Sequence, residues 1–270
     1  MIDIERVCIS GWWAAIRGAR NALESWGRSD TVFKVDDRPV GIDILGAPIE
    51  LSGEMDWQAG PFEQLILGKN DRDLMLRLAR CGGDEAKYRR YITVSFDITA
   101  PLYWWKQADT YRVGVVEVPP SDIEFNSCST MHKGHAKEFT LDDFSHEDLS
   151  DESILITWDN QYYHDSPIDN LIDRIGMLNA LRDLYNETKD KKYWRQMIQS
   201  LGDNYNQKRT VQLNYQVLAA IYPKRRAHKL QEWRDFCEWI ESLPYSETIT
   251  LNDKKMEDYT YDQEIKIPLS

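Results

Sequence analysis

Apolar and polar side chains alternate strictly between residues 92 and 99, with Ile92, Val94, Phe96 and Ile98 set against Thr93, Ser95, Asp97 and Thr99. A period of two places the apolar set on one face, so the segment predicts a half-buried β-strand. Pro101 is tolerated only in the first turn of a helix, and Leu102-Tyr103-Trp104-Trp105-Lys106-Gln107 predicts that helix with Thr99 as its candidate N-cap. Val113 to Val118 predicts a second strand, stopped by Pro119-Pro120, which opens a loop returning near Asn126. Ile154 to Trp158 predicts a short added strand.

Elsewhere the period lengthens. From Pro61 to Arg80, Phe62, Leu65, Ile66, Leu74, Leu78 and Ala79 predict one helical face, or two short helices broken at Gly68-Lys69-Asn70, with Cys81-Gly82-Gly83 as the stop. After Pro167, Ile168, Leu171, Ile172, Ile175, Leu178, Leu181 and Leu184 recur every three or four residues and predict a buried helix. Further helices are expected from Tyr193 to Leu201, from Val211 to Tyr222, and along the Leu230, Trp233, Cys237, Ile240, Leu243 face that ends at Pro244. The acidic stretch from Thr140 to Ser153 reads as a solvated surface segment that also suits helix starts. Strands dominate the first half and helices the second. The expectation is therefore one α+β domain over residues 1–245, with a central, mostly antiparallel sheet packed by helices and a polar extension over 246–270.

Charge narrows the function. With 33 Lys and Arg against 45 Asp and Glu, the net charge of -12 argues against general nucleic-acid binding but permits a local basic pocket. Cys8, Cys81, Cys128 and Cys237 form no CxxC pair, which favours reduced thiols, a cytoplasmic setting and no structural metal. The N-terminus carries Asp3, Glu5 and Arg6, and no apolar run approaches a membrane span, so neither a signal peptide nor a membrane segment is expected. Ten Trp and fourteen Tyr suit buried packing or subunit interfaces.

Three constellations carry chemistry. Gln107, Arg112 and Asn126-Ser127-Cys128-Ser129-Thr130-Met131-His132-Lys133 could cradle a phosphate or oxyanion, or could form a turn and helix cap. Lys208-Arg209 with Lys224-Arg225-Arg226 and His228 make a cationic patch that could neutralise a phosphate, or could decorate a helix C-terminus. Cys128 near His132 and His135 invites a nucleophile reading, although sequence neighbours on a loop rarely reach base–nucleophile geometry. GxSxG, P-loop, GxGxxG and HExxH motifs are absent.

In their order along the chain these pieces resemble the flavin-dependent thymidylate synthase (ThyX) superfamily, in particular the divergent ThyX-like chains of bacteriophages. The resemblance covers roughly residues 80 to 240. It begins weakly at Ala15 to Asn21 and strengthens from Gly82 to Ile98. Pro101 to Gly114 and Asn126 to Met131 stand where that family keeps its RHRxxSxNExSxR signature. Ser200 to Gln207, Thr210 to Leu218 and Arg225 to Trp233 are similar to its LP turn, its NxR helix and the following Arg…Gln-x-Glu helix.

The resemblance implies a ThyX-like fold, a homotetramer in the host cytoplasm, and a C5 one-carbon transfer to a pyrimidine deoxynucleotide using FAD, methylenetetrahydrofolate and NADPH. It implies Arg225 as the residue activating the pyrimidine, with Arg226 as the alternative alignment and a nucleotide contact. Gln107, Arg112, Ser127 and Ser129 would hold the nucleotide, and Asn126, Asn214, Gln216 and His228 the cofactor. Departures are specific: Ala108-Asp109-Thr110, or Asp109-Thr110-Tyr111 in a shifted alignment, replaces Arg-His-Arg; Ser127 and Met131 replace the signature's Glu and last Arg; Gln216 replaces the Arg of NxR. Losing these cations weakens anion binding by several kcal/mol unless Lys106, Arg112, Lys133 or Arg209 compensate. The competing expectation is a non-catalytic ThyX-like protein that binds nucleotides or other proteins.

Overall fold

A computed structural model of the chain describes residues 2–35, 40–42, 48–50, 62–111, 134–251 and 265–268. In chain order the elements are β1 (Asp3–Ser10), α1 (Trp12–Asn21), β2 (Val32–Val35), β3 (Val40–Ile42), β4 (Pro48–Glu50), β5 (Phe62–Ile66), α2 (Lys69–Cys81), β6 (Thr93–Pro101) and α3 (Leu102–Ala108). They continue with β7 (Ile154–Trp158), β8 (Gln161–Asp165), α4 (Pro167–Thr188), α5 (Lys191–Ser200), β9 (Asn206–Asn214), α6 (Tyr215–Arg225), α7 (Gln231–Ser242), α8 (Glu247–Thr250) and β10 (Ile265–Pro268). The chain is a mixed helix and sheet fold, as the patterning predicts. Among the described residues no helix is long and apolar enough to cross a membrane. Two compact units emerge, and β6 and β9 each contribute residues to both.

In the unit that includes residues 98–111 and 134–210, one face of α4 and of α5 closes over a core of Phe139, Phe144, Leu171, Leu178, Met197 and Tyr205. Full burial of each such side chain stabilises by about 1.5–3 kcal/mol. α4 starts where Ser166 accepts from the Asp169 amide at 3.1 Å and Pro167 occupies the first turn. It ends at Lys189, whose left-handed backbone lets its amide reach Tyr185. β7 and β8 form a hairpin in which Trp158 faces Gln161 across Asp159 and Asn160, both at positive φ, as a two-residue turn matched to strand twist requires.

In the unit that includes residues 4–35, 62–97 and 211–251, β1, β6 and β9 lie side by side in that order, and β5 pairs antiparallel with both β2 and β10. Phe96 of β6 packs on Trp239 of α7 at 4.5 Å between centroids, and Trp12 of α1 meets Tyr215 of α6 edge-on at 5.5 Å. Gly11 has φ +89, and a Cβ there would lie 1.8 Å from the Tyr91 carbonyl oxygen, so no other residue fits. α2 has no capping side chain of its own. The carboxylate of Asp30 instead accepts from the Asn70 and Asp71 amides at 2.9 and 3.2 Å, and a Cβ on Gly68 would collide with it at 2.1 Å.

Asp71 in turn accepts from Arg20 Nε at 2.5 Å, from the hydroxyls of Ser29 and Thr31 at 2.7 Å each, and from the amides of residues 30 and 31. This buried carboxylate therefore ties α1, the 29–31 segment and α2 into one piece.

Five local expectations change. Phe62–Ile66 is strand β5, not helix, because it is paired on both edges; the helix begins after the anticipated break at Gly68. Val211–Asn214 completes β9 and the helix begins at Tyr215, where the Asn214 side chain caps it by accepting from Val217 at 3.0 Å. Pro101, not Thr99, is the N-cap of α3. Within the acidic stretch Phe144 is buried in the core, although most of residues 146–153 face solvent. Beyond Pro244, Glu247, Thr248 and Ile249 are buried, and β10 joins the β5 sheet. The strand expected from Val113 to Val118 lies outside the described residues.

Candidate functional site

The run from Asn214 to Trp233 forms a strand end, a helix, a short turn and a second helix, and it carries most of the candidate residues that the structure describes. Asn214 is buried and its side-chain oxygen is spent on the α6 cap. Two residues on, Gln216 has a buried Oε1 with no hydrogen-bond partner. A native interior rarely leaves such an acceptor unmet, and it fits a donor that comes from outside the chain.

At the other end of α6, Arg225 lies with its guanidinium carbon 4.4 Å from the centroid of the Trp233 ring, an indole that is almost wholly buried. The stack fixes the direction of a long side chain, and a planar guanidinium stacked in this way hydrogen-bonds in its own plane. Arg226 is exposed and lies 5.6 Å from the Tyr222 ring centroid. His228 meets the same Trp233 edge-on at 6.4 Å. Burial, then the charges of Arg225, Arg234 and Lys229, hold its imidazole below the usual histidine range. Its Nδ1 accepts from the Leu230 amide at 3.2 Å, so the neutral ring carries its proton on Nε2. Arg234, which the sequence reading does not single out, donates to the carbonyls of His228 at 2.5 Å and Lys229 at 3.0 Å and so holds the turn closed.

In the other unit, Gln107 is half-buried near the end of α3, and its carbonyl accepts from the Thr110 hydroxyl at 2.6 Å. Lys106 pairs with Asp203 at 2.6 Å on the surface. Arg209 donates to Asp109 Oδ1 at 3.1 Å and to Gln207 Oε1 at 2.8 Å while lying over Trp105 at 4.1 Å. Lys208 and Arg209 thus belong to one unit and Lys224 to His228 to the other. Arg112, Asn126, Ser127, Cys128, Ser129, His132 and Lys133 lie outside the described residues. His135 packs edge-on against Tyr185 at 5.1 Å.

Two further cations escape sequence reasoning. Arg174 of α4 donates to Asn204 at 2.7 Å beside the Phe144 ring; its place next to the core positions Leu171 and Leu178 is the available signal. Arg89 is buried in the 3₁₀ turn Glu85–Arg90, with its Nε and Nη2 unpartnered, and burial pushes its pKa down. Nothing in the surrounding sequence marks it.

No protein-family model matches the sequence, and no curated protein is similar to it. Solved structures are similar in fold. The flavin-dependent thymidylate synthase ThyX from Helicobacter pylori, complexed with FAD and dUMP, superposes with a TM-score of 0.54 at 14% identity, covering 92% of this chain and 99% of that one. A second structure of ThyX from the same organism with FAD and dUMP gives a TM-score of 0.55 at 14% identity, covering 94% and 98%. A UMP/dUMP methylase PolB from Streptomyces cacaoi, bound with 5-Br dUMP, gives 0.47 at 12% identity over 93% and 94%. Over more than nine-tenths of its length, the chain has a ThyX-like fold.

Proposed function

We propose that this protein binds a pyrimidine deoxynucleotide and transfers a one-carbon unit to C5 of its base, as a ThyX-like enzyme with an altered signature. One observation carries the reading: in a ThyX-like fold, α6 bears Gln216 with an orphaned buried acceptor at its start and Arg225 braced on Trp233 at its end. Arg225 donates hydrogen bonds to a uracil carbonyl oxygen and stabilises the negative charge that gathers there as the ring is activated. Arg226 and Gln107, with Arg112, Ser127 and Ser129, hold the nucleotide.

FAD is the implied cofactor, and the residues present fit it in part. Gln216 Oε1 would accept an N–H of the flavin ring, and His228, with Asn126 and Asn214, would serve the rest of the molecule. Bound FAD supplies reducing equivalents from NADPH to a one-carbon unit carried by methylenetetrahydrofolate. The chain's own residues bind, orient and polarise. Residues 1–245 act as one ThyX-like domain in this reading, with 246–270 as its extension. Met177 and Leu184, exposed apolar side chains two turns apart on one flank of α4, support a homo-oligomer, a tetramer by analogy.

A second reading, a non-catalytic nucleotide-binding or protein-interaction protein, draws on Asp109. A carboxylate already bonded to Arg209 stands where a signature cation is expected. Visible absorbance of the purified protein, before and after loading with excess FAD and removal of the unbound fraction, separates the two. A stoichiometric flavin band, with turnover of deoxyuridylate and methylenetetrahydrofolate, is the expected result. No retained flavin overturns the transferase reading in favour of the second.

A further inference from the structure

Between α1 and α2, a groove of about 720 Å³ has a size ordinary for small organic ligands. Leu74 and Leu78, one turn apart on α2, line it together with Ala22 just beyond α1. None of the described candidate nucleotide or flavin residues (Gln107, Asn214, Gln216, Arg225, Arg226 and His228) lines it.

Its polar lining is unusual. Arg20 is 4% exposed, and while its Nε serves Asp71 and its Nη1 the Ser25 carbonyl, its Nη2 has no hydrogen-bond partner. A buried guanidinium donor left unmet calls for an acceptor oxygen. Arg28 and Arg77 line the same groove from exposed positions, and their charges are offset by the carboxylates of Asp73 and Glu85. Arg20 is itself offset by Asp71. The lining therefore carries donors for an anion without the excess positive charge that a dianionic phosphate needs.

We propose that this groove binds a small organic monoanion with an apolar body, its carboxylate-type oxygen taken by Arg20 with Arg28 and Arg77, and its hydrocarbon part laid on Leu74 and Leu78. The test uses the full-length protein and the fluorescent sulfonate 8-anilinonaphthalene-1-sulfonate, scoring only the signal that octanoate displaces. Saturable displaceable binding is expected, with inorganic phosphate ineffective as a competitor. Ala22→Trp, which fills an exposed part of the groove, abolishes it, and the double substitution Arg28→Gln and Arg77→Gln weakens it by about tenfold, each with an unchanged melting temperature. Absence of displaceable signal, displacement by phosphate as effective as by octanoate, or unchanged affinity in both variants overturns the assignment.

Discussion

Arg209 reaches from β9 to Asp109, just past α3, and donates to its carboxylate at 3.1 Å. The resemblance puts the Arg-His-Arg of the ThyX signature at this point of the chain. Here the local charge is inverted and then neutralised by a cation from another strand. Arg209, one of the candidates to replace the missing cations, is therefore held by a partner of its own and by the face of Trp105.

Replacing Arg209 with Met removes a partly buried ion pair and a cation–π contact together, and should cost about 2–3 kcal/mol of stability. Asp109→Asn in the same background should cost less than it does alone. Chemical denaturation of the four proteins of that cycle measures the coupling, and additive effects would show that the pair contributes nothing.

Acid should loosen the α1–α2 junction. Burial alone would raise the Asp71 carboxyl, but the hydroxyls of Thr31 and Ser29 and the guanidinium of Arg20 outweigh it and hold the group below its ordinary value. A carboxyl whose pKa is lower folded than unfolded binds fewer protons in the native state, so stability rises with pH through that range. The contribution is complete above the ordinary carboxylate range and is lost below about pH 4. Melting temperature against pH should fall steeply there in the native sequence and less steeply in Asp71→Asn. That variant should already be about 3 kcal/mol less stable at neutral pH.

Thiol labelling should separate the cysteines. Burial, and then the charge of Glu241, pushes the Cys237 thiol up to about 12, whereas Cys81 is exposed at the end of α2. Under native conditions Ellman's reagent should modify Cys81 readily and Cys237 only after unfolding, as peptide mapping would report. Rapid native labelling of Cys237 would contradict the packing of α7 described above.

Arg225→Ala should eliminate nucleotide turnover. Its structural cost is at least that of the cation–π contact with the buried Trp233, about 0.5–2 kcal/mol. Steady-state kinetics beside a melting curve gives both values. Turnover near the native level would remove Arg225 from the site, and retained turnover with loss in Arg226→Ala would move the role to its neighbour.

Met177→Asp and Leu184→Asp place charges on the exposed apolar flank of α4, where both native side chains face solvent. If that face joins subunits, sedimentation should show a smaller particle with unchanged circular dichroism. An unchanged mass would exclude α4 from the contact.

The elements most legible from pattern alone are those whose period meets one solvent boundary. The alternation ending at Ile98 becomes β6, and the Leu230 to Leu243 face becomes α7, because in each a single buried side dictates the spacing. Phe62–Ile66 misleads for a physical reason: five residues with Phe62, Leu65 and Ile66 fit one helical face as well as a strand, and only pairing with β2 and β10 decides between them. Val211–Asn214 fails similarly, since the apolar run passes from strand to helix without a break and Asn214 acts as a cap inside it.

At the candidate site, residue order along the chain is enough to nominate Asn214, Gln216, Arg225 and His228. It cannot tell that Arg225 rests on Trp233, that Gln216 keeps an unmet acceptor, or that Arg209 answers Asp109. Local patterning and ordered motifs thus determine the α+β class and the ThyX likeness, because both depend on periodicity and short-range spacing. The state of these long-range charge pairs is decided by tertiary structure alone: Arg209 and Asp109 are 100 residues apart, and Arg20 and Asp71 are 51 apart. A pair between elements far apart in the chain depends on distance and burial in space, which spacing along the chain does not encode.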